Sequence, residues 1–378
     1  MKQVSLKPVD TFFFRNHKDF LSGVDSTAGS IFPPRPGTIY GALRSGYIHE
    51  NGGLESFYAG TDDDLKRWMG TPEEIGQFSL RGVMIHDEKD VYLPLPLDYQ
   101  VVYEINDNKV EEWAYPLKLI NDMIPGSDGY QYRLYGVKEE KSLSAAGAYI
   151  SHSDWKKVQL SREPVRIYRK SHWVIEEDKL GIKIDRERGS SEKGMLYNIK
   201  MDRFIDNSKA GFIAFSCAGQ SPDFQKIKIL RLGGKNRPWG IEELQEEFEL
   251  YCENERQQII TRIKQEGIAR LLLLSPAILS QDSDIYDHKK RQFRFGGGMV
   301  FSLIAQATGR PILIGGWDIA GNRPKNRIHA LPAGSVFYLK VEPEKAEELF
   351  YWVYDHPISD ELNHEGYGWA VCSSRPLE

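Results

Sequence analysis

Cysteine is scarce in this sequence, and what there is stands apart: Cys217, Cys252 and Cys372 are odd in number, widely spaced and without a C-x-x-C pair. That pattern excludes a disulfide framework and a thiolate zinc site, and it fits a reducing compartment. No apolar run is long enough to span a bilayer, because the strongest, IARLLLLSPAIL, is broken by Ser275 and Pro276. The opening MKQVSLKPVDTFFF has no apolar segment followed by a small-residue cleavage site, so the expectation is a cytoplasmic chain without membrane contact. An excess of positive charge is missing too. The formal net charge is −5, which argues against a general basic coat for nucleic acid or lipid.

The common catalytic signatures are also absent. There is no G-x-x-x-x-G-K-[ST], G-x-S-x-G or H-E-x-x-H, and GYGWAV at 366–371 carries Val371 where a dinucleotide fingerprint needs a small residue. DSDIYDH opens like a calcium loop, yet Asp287 replaces the turn glycine and Phe293 replaces the bidentate glutamate. GGWD at 315–318 lacks the second acid that a metal-dependent cyclase needs, so Asp318 reads as a turn residue. No metal or cofactor is expected.

A chain of 378 residues with 40% hydrophobic and 27% charged residues is globular and long enough for two domains. QVSLKPVDTFFF reads as a first strand, and a helix is expected from about Gly37–Thr38 with Thr38 as its cap. A hairpin follows around Glu88-Lys89-Asp90, then a less regular insertion over 100–160. From 163 the chain reads as a β-rich block, with strand signals in PVRIYRKSHWVI, in LGIKIDRERGSSEKGMLYNIKMDRFI around a polar Gly/Ser turn, in AGFIAFSCAG and in FQKIKILRLGGKNRPWGIE. Residues 241–266, acidic first and basic later, read as one helix. The last third holds a buried strand in ARLLLLSPAIL, strand candidates around 298–306, 311–317 and 335–342, a helix in PEKAEELFYWVYDHP, and a glycine turn feeding a last strand in HEGYGWAVCSS. Both halves can be laid out as β-α-β-β-α-β, the ferredoxin-like order. The expected division is 1–248 and 249–378.

What the sequence does hold is a set of glycine turns beside cations and aromatics: Gly233, Gly234, Lys235 and Arg237; Arg294 before Gly296-Gly297-Gly298; Gly315, Gly316 and Trp317 leading to Arg323, Lys325 and Arg327; and Gly366 and Gly368 around Tyr367. Glycine lets a main-chain N–H approach a phosphate, Lys and Arg neutralise it, and an aromatic face stacks an unpaired base. Positive charge is concentrated there: 285–330 holds Lys289, Lys290, Arg291, Arg294, Arg310, Arg323, Lys325 and Arg327 against Asp287 and Asp318. The reading is a single-stranded RNA binder. The RNP1 pattern of an RNA-recognition motif is absent, so stacking on a sheet face is not expected.

Several stretches together resemble one family: PVDTFFFRN, IFPPRPGTIYGALRSG, LGIKIDRERGSSEKGMLY, ILRLGGKNRPW, PILIGGWDIAGNRPKNRIHALPAGSVFYL and HEGYGWAV. They are similar to subunit three of the Cmr module, RAMP-superfamily proteins of type III-B CRISPR effector complexes. The resemblance implies an α+β fold of two tandem ferredoxin-like RAMP domains with β-hairpin insertions and no catalysis of its own. It further implies binding to the 5′ repeat-derived handle of the CRISPR RNA, contact with the large polymerase-cyclase-like subunit, and contact with the adjacent backbone subunit. By the same resemblance Ser30 to Arg44 lies near the handle, with Arg44 placed to meet phosphate. Asn16-His17-Lys18 departs from the family pattern, so His17 carries no role over. The alternative is a metal-independent endoribonuclease that matures guide RNA, using His17 with Arg15, or His364, as its acid-base group.

Overall fold

The computed structural model describes residues 1–375 apart from 16–26, 29, 107–108, 122–129, 185–190, 206–209, 218 and 319–322. His17 and Lys18, the turn inside LGIKIDRERGSSEKGMLY and the tip of the 312–330 stretch therefore lie outside the described residues. The fold is mixed α and β, with mostly antiparallel sheets and few helices.

An eight-stranded antiparallel sheet holds, in order, Tyr168–Arg169, Ala148–Ser151, Val91–Pro94, Gly82–His86, Gly211–Ser216, Lys2–Pro8, Arg237–Leu244 and Ile229–Leu232. A six-stranded sheet runs Tyr286–Asp287, Gln292–Phe295, Met299–Ala307, Val336–Lys340, Ile268–Leu273 and Ala370–Ser373. Met299–Ala307 alternates buried and less buried residues, as expected when one face of a strand meets the core. Every residue of Ile268–Leu273 is buried, which is why its sequence is apolar apart from Arg270.

One face of the first sheet carries helix α1 (Pro36–Glu50), then α2 (Gly53–Ala59) and α3 (Asp63–Met69). Ile39, Leu43 and Tyr47 of α1 join Val4, Leu6, Phe212 and Trp239 in one core. The opposite face contributes Met84, Leu93, Ile213 and Phe215 to a second core, which continues without a break into Leu271, Leu339 and Trp369 of the six-stranded sheet. The Phe215 and Trp369 rings meet at 5.5 Å between centroids. Arg81 adds a polar tie across the same seam, donating to the carbonyls of Val353, Tyr354 and Asp355 at the end of helix Ala346–Asp355, at 3.2, 2.5 and 3.1 Å. The exposed carbonyls of a helix C-terminus favour such a cation.

Several expectations need revision. Helix α1 starts at Pro36 with Arg35 as its cap, because proline's fixed φ and missing N–H suit the first helical position; Thr38 lies in the first turn. Residues 241–266 are not one helix: 237–244 form a strand, and the helix is Glu253–Glu266, opened by a capping box of Cys252 and Glu255 and closed at Gly267. Within 164–175 a helical turn, Lys170–Trp173, interrupts the strand and brings Trp173 in against Tyr92, Tyr149 and Tyr168. The 100–160 insertion is more regular than expected, with hairpins Tyr99–Asn106/Lys109–Pro116 and Lys118–Asn121/Tyr132–Tyr135. In neither half do the described residues show the full helix-strand alternation: none of 274–298 is α-helical, and neither are the described residues of 217–236.

Candidate nucleic-acid interface

The stretch 312–330 folds as a bent hairpin. Ile312–Ile314 pairs antiparallel with Ile328–Ala330, and Trp317–Asp318 pairs with Arg323–Pro324. Gly315 and Gly316 occupy the bend and are exposed, with the Lys325 N–H donating to the Gly316 carbonyl at 3.0 Å. A Cβ on Gly315 would lie 3.7 Å from Arg327, and one on Gly316 3.5 Å from Lys325, both ordinary contacts. Packing therefore does not demand glycine here. Arg323, Lys325 and Arg327 are all exposed.

This hairpin meets two other elements at Glu365. Lys325 Nζ is 3.6 Å from Glu365 Oε1, and His364 Nε2 is 3.9 Å from the same oxygen. The His364 ring lies edge-on to Tyr40 of α1 at 5.2 Å, and the Leu80 N–H donates to the His364 carbonyl at 2.9 Å. Burial lowers the His364 pKa; Lys325 and Arg44 push the same way, and Glu365 opposes them. His364 and Glu365 thus join the cationic hairpin to the first half of α1.

The other glycines have a different reason. Gly366 (φ 92) is buried against Pro36 and Gly82, and its N–H donates to Asn363 O at 3.1 Å. Gly368 (φ 79) donates to Pro276 O at 2.8 Å, and a Cβ there would sit 2.6 Å from the Ile358 carbonyl carbon. Gly234 donates to Phe13 O at 2.7 Å, and a Cβ on Gly233 would meet the same oxygen at 2.7 Å. These N–H groups already have main-chain acceptors inside the chain.

The remaining cations are held in distinct ways. Arg44 donates from Nε and Nη2 to Met69 O at 3.2 and 2.8 Å and lies 4.9 Å over the Phe57 ring, tying α1 to α2 and α3. Arg237 faces Asp10 at 3.5 Å, Lys235 is exposed, and Arg294 forms an ion pair with Asp287. Among the described residues no group of three His, Cys, Asp or Glu side chains converges as a metal site, and no helix is long and apolar enough to cross a membrane.

The family of CRISPR-associated proteins described as Cas_Cmr3 matches residues 4–373. The chain belongs to the Cmr3 family. None of the curated proteins matches it. Among solved structures, a chain in the cryo-EM structure of the type III-B Cmr-beta bound to cognate target RNA is 18% identical; 89% of this chain and 86% of that chain are covered, at a TM-score of 0.50. A chain from Cmr-beta bound to cognate target RNA and AMPPnP is 16% identical, with 93% and 88% covered and a TM-score of 0.49.

This Cmr3-family chain also presents a side chain that the sequence reading passed over. Arg35, between Pro34 and Pro36, is half-buried, and its Nε has no hydrogen-bond partner. Burial lowers its pKa, and the titratable groups acting on it are the phenols of Tyr367 and Tyr149. Nothing in PPRPG marks this arginine apart from the prolines around it. The two phenols that act on it, Tyr149 and Tyr367, both lie more than a hundred residues away in the chain.

Proposed function

We propose that the chain is the non-catalytic RNA-holding subunit of a type III-B CRISPR effector complex. In this reading it grips the 5′ repeat-derived handle of the CRISPR RNA and docks the large polymerase-cyclase-like subunit and the adjacent backbone subunit. The observation that carries the RNA role is the bent hairpin, with the three exposed cations Arg323, Lys325 and Arg327 on one arm and the unconstrained, exposed Gly315 and Gly316 at its bend. A phosphate backbone needs donors and positive charge on an open surface, and that arm supplies both. Family membership and the fold likeness to a chain of an RNA-bound Cmr complex support the assembly.

The same reading takes 1–248 and 249–378 as two ferredoxin-like RAMP units. Its support is strand order. Taken by sequence rank, Arg237–Leu244, Lys2–Pro8, Gly211–Ser216 and Gly82–His86 lie as 4-1-3-2, and so do Ala370–Ser373, Ile268–Leu273, Val336–Lys340 and Met299–Ala307. The first unit keeps the helix after its first strand, the second the helix before its last strand.

The test is equilibrium binding of a handle-bearing RNA across a salt series. Each phosphate contact to a single strand contributes roughly 0.7 to the slope of log K against log salt. Replacing Arg323, Lys325 and Arg327 together by alanine should lower affinity and flatten the slope by roughly 2. An unchanged slope and affinity would remove the hairpin from the interface.

A further inference from the structure

Behind the loop that carries Arg35 lies a cavity of about 180 Å³ between the two sheets. Phe32, Arg35, Tyr149 and Ala146 line one side, and Pro276 and Ile312 another. Arg35 is the only charged residue in that lining, and among the described residues its guanidinium has no ion-pair partner. The Arg35 Nε is buried with no hydrogen-bond partner, which is costly, so a ligand bringing an acceptor to it would be favoured there.

We propose that this cavity is a socket for one unstacked nucleobase of the bound strand, read by Arg35 through two adjacent acceptors such as O6 and N7 of guanine. The proposal rests on the RNA-binding reading given above and names the ligand class of a neighbouring subsite. Three observations converge on it. The volume suits a single ring system, since an apolar cavity of about 150 Å³ accepts benzene. Apart from Arg35 the walls are uncharged and mostly apolar, aliphatic side chains and prolines with the rings of Phe32, Tyr92 and Tyr149 among them, which suits a base and not a phosphate. Ile312 and Pro332 of the lining flank the base of the hairpin that carries Arg323, Lys325 and Arg327, so a polyanion lying on that arm passes the cavity mouth. A guanidinium fork matches guanine's acceptor pair better than adenine, which offers N7 beside a donor.

The experiment is a binding cycle on the full chain, using a fluorescent single-stranded RNA that ends in the repeat-derived handle and a series with one abasic position at a time. One position should weaken binding about tenfold when abasic. Arg35→Ala should weaken the intact RNA comparably and make that abasic change silent, and Arg35→Lys should not restore the loss. Ala146→Trp, on the exposed rim, plugs the mouth without touching Arg35, should have the same effect, and carries the test if Arg35→Ala does not fold. Losses that multiply, or the lack of any sensitive abasic position, overturn the socket while leaving the hairpin result intact. Release of a protein subunit by these variants, with RNA affinity unchanged, overturns it in favour of a protein anchor. A wild-type chain that binds no RNA, or whose binding ignores the triple hairpin variant, refutes the underlying reading and the socket with it.

Discussion

Asp98 is fully buried and accepts from Arg270 at 2.7 Å through both Nε and Nη2, from Arg375 at 2.6 Å and from the Tyr338 hydroxyl at 2.6 Å. Burial by itself would raise its pKa; the two guanidiniums and their hydrogen bonds outweigh that and hold it well below the ordinary carboxylate range. Because the folded pKa lies below the unfolded one, this group stabilises the fold fully above about pH 4, and the contribution is lost as pH falls from there. Asp98→Asn should cost about 3–5 kcal/mol in urea unfolding at neutral pH and should blunt the acid limb of the stability profile; equal acid limbs in both proteins would contradict the assignment. At the glycines, Gly368→Ala should destabilise by about 1–3 kcal/mol, since its positive φ and the nearby Ile358 backbone both oppose a Cβ. Gly316→Ala should stay within about 0.5 kcal/mol of wild type in the same assay. At this scale the sequence shows little. A Gly-Gly turn with cations nearby looks the same at 233–237 as at 315–327, and only the fold reveals that one is pressed against Phe13 and the other is open. Asp98 gave no sign of its role, because Arg270 lies 172 residues away.

Elements were far more legible, where local patterning and tertiary demand agree. The hairpin around Glu88-Lys89-Asp90, the buried strand Ile268–Leu273 and the helix in PEKAEELFYWVYDHP all lie where periodicity places them. The misreadings come from tertiary override. An acidic run looks helical, yet in Arg237–Leu244 the buried Trp239 and Ile241 alternate with less buried neighbours, and pairing with Lys2–Pro8 takes the segment into the sheet. The bent hairpin behaves as an appendage on its own two-stranded base, Ile312–Ile314 with Ile328–Ala330. Replacing 315–327 by Asn-Gly should therefore close the base as a tight hairpin and leave thermal unfolding nearly unchanged while handle binding collapses. Retained RNA affinity in that deletion would show that the arm is ornamental.

Across the whole molecule, the two sheets are distinguishable by topology but not by packing. A single core runs from Met84 and Phe215 to Leu271 and Trp369, and the Arg81 and Asp98 contacts cross between the same two halves. One cooperative calorimetric transition is expected, and a 1–248 fragment should fail to give a native-like transition of its own; two resolved transitions would contradict the shared core. The order of elements along the chain suggested two halves, whereas the seam between the two sheets left no signal, because it depends on side chains such as Phe215 that read as generic core residues. Charge is also arranged at this scale: an acidic chain of net −5 presents a local basic arm, which favours one strand in one place over general nucleic-acid binding. The central claim is most directly tested by residue-level mapping of UV crosslinks between this subunit and the guide RNA in the assembled effector particle. The account predicts crosslinks on 315–327, nearest the 5′ handle. Crosslinks confined to the Gly233–Arg237 surface, or none to this subunit at all, would contradict it.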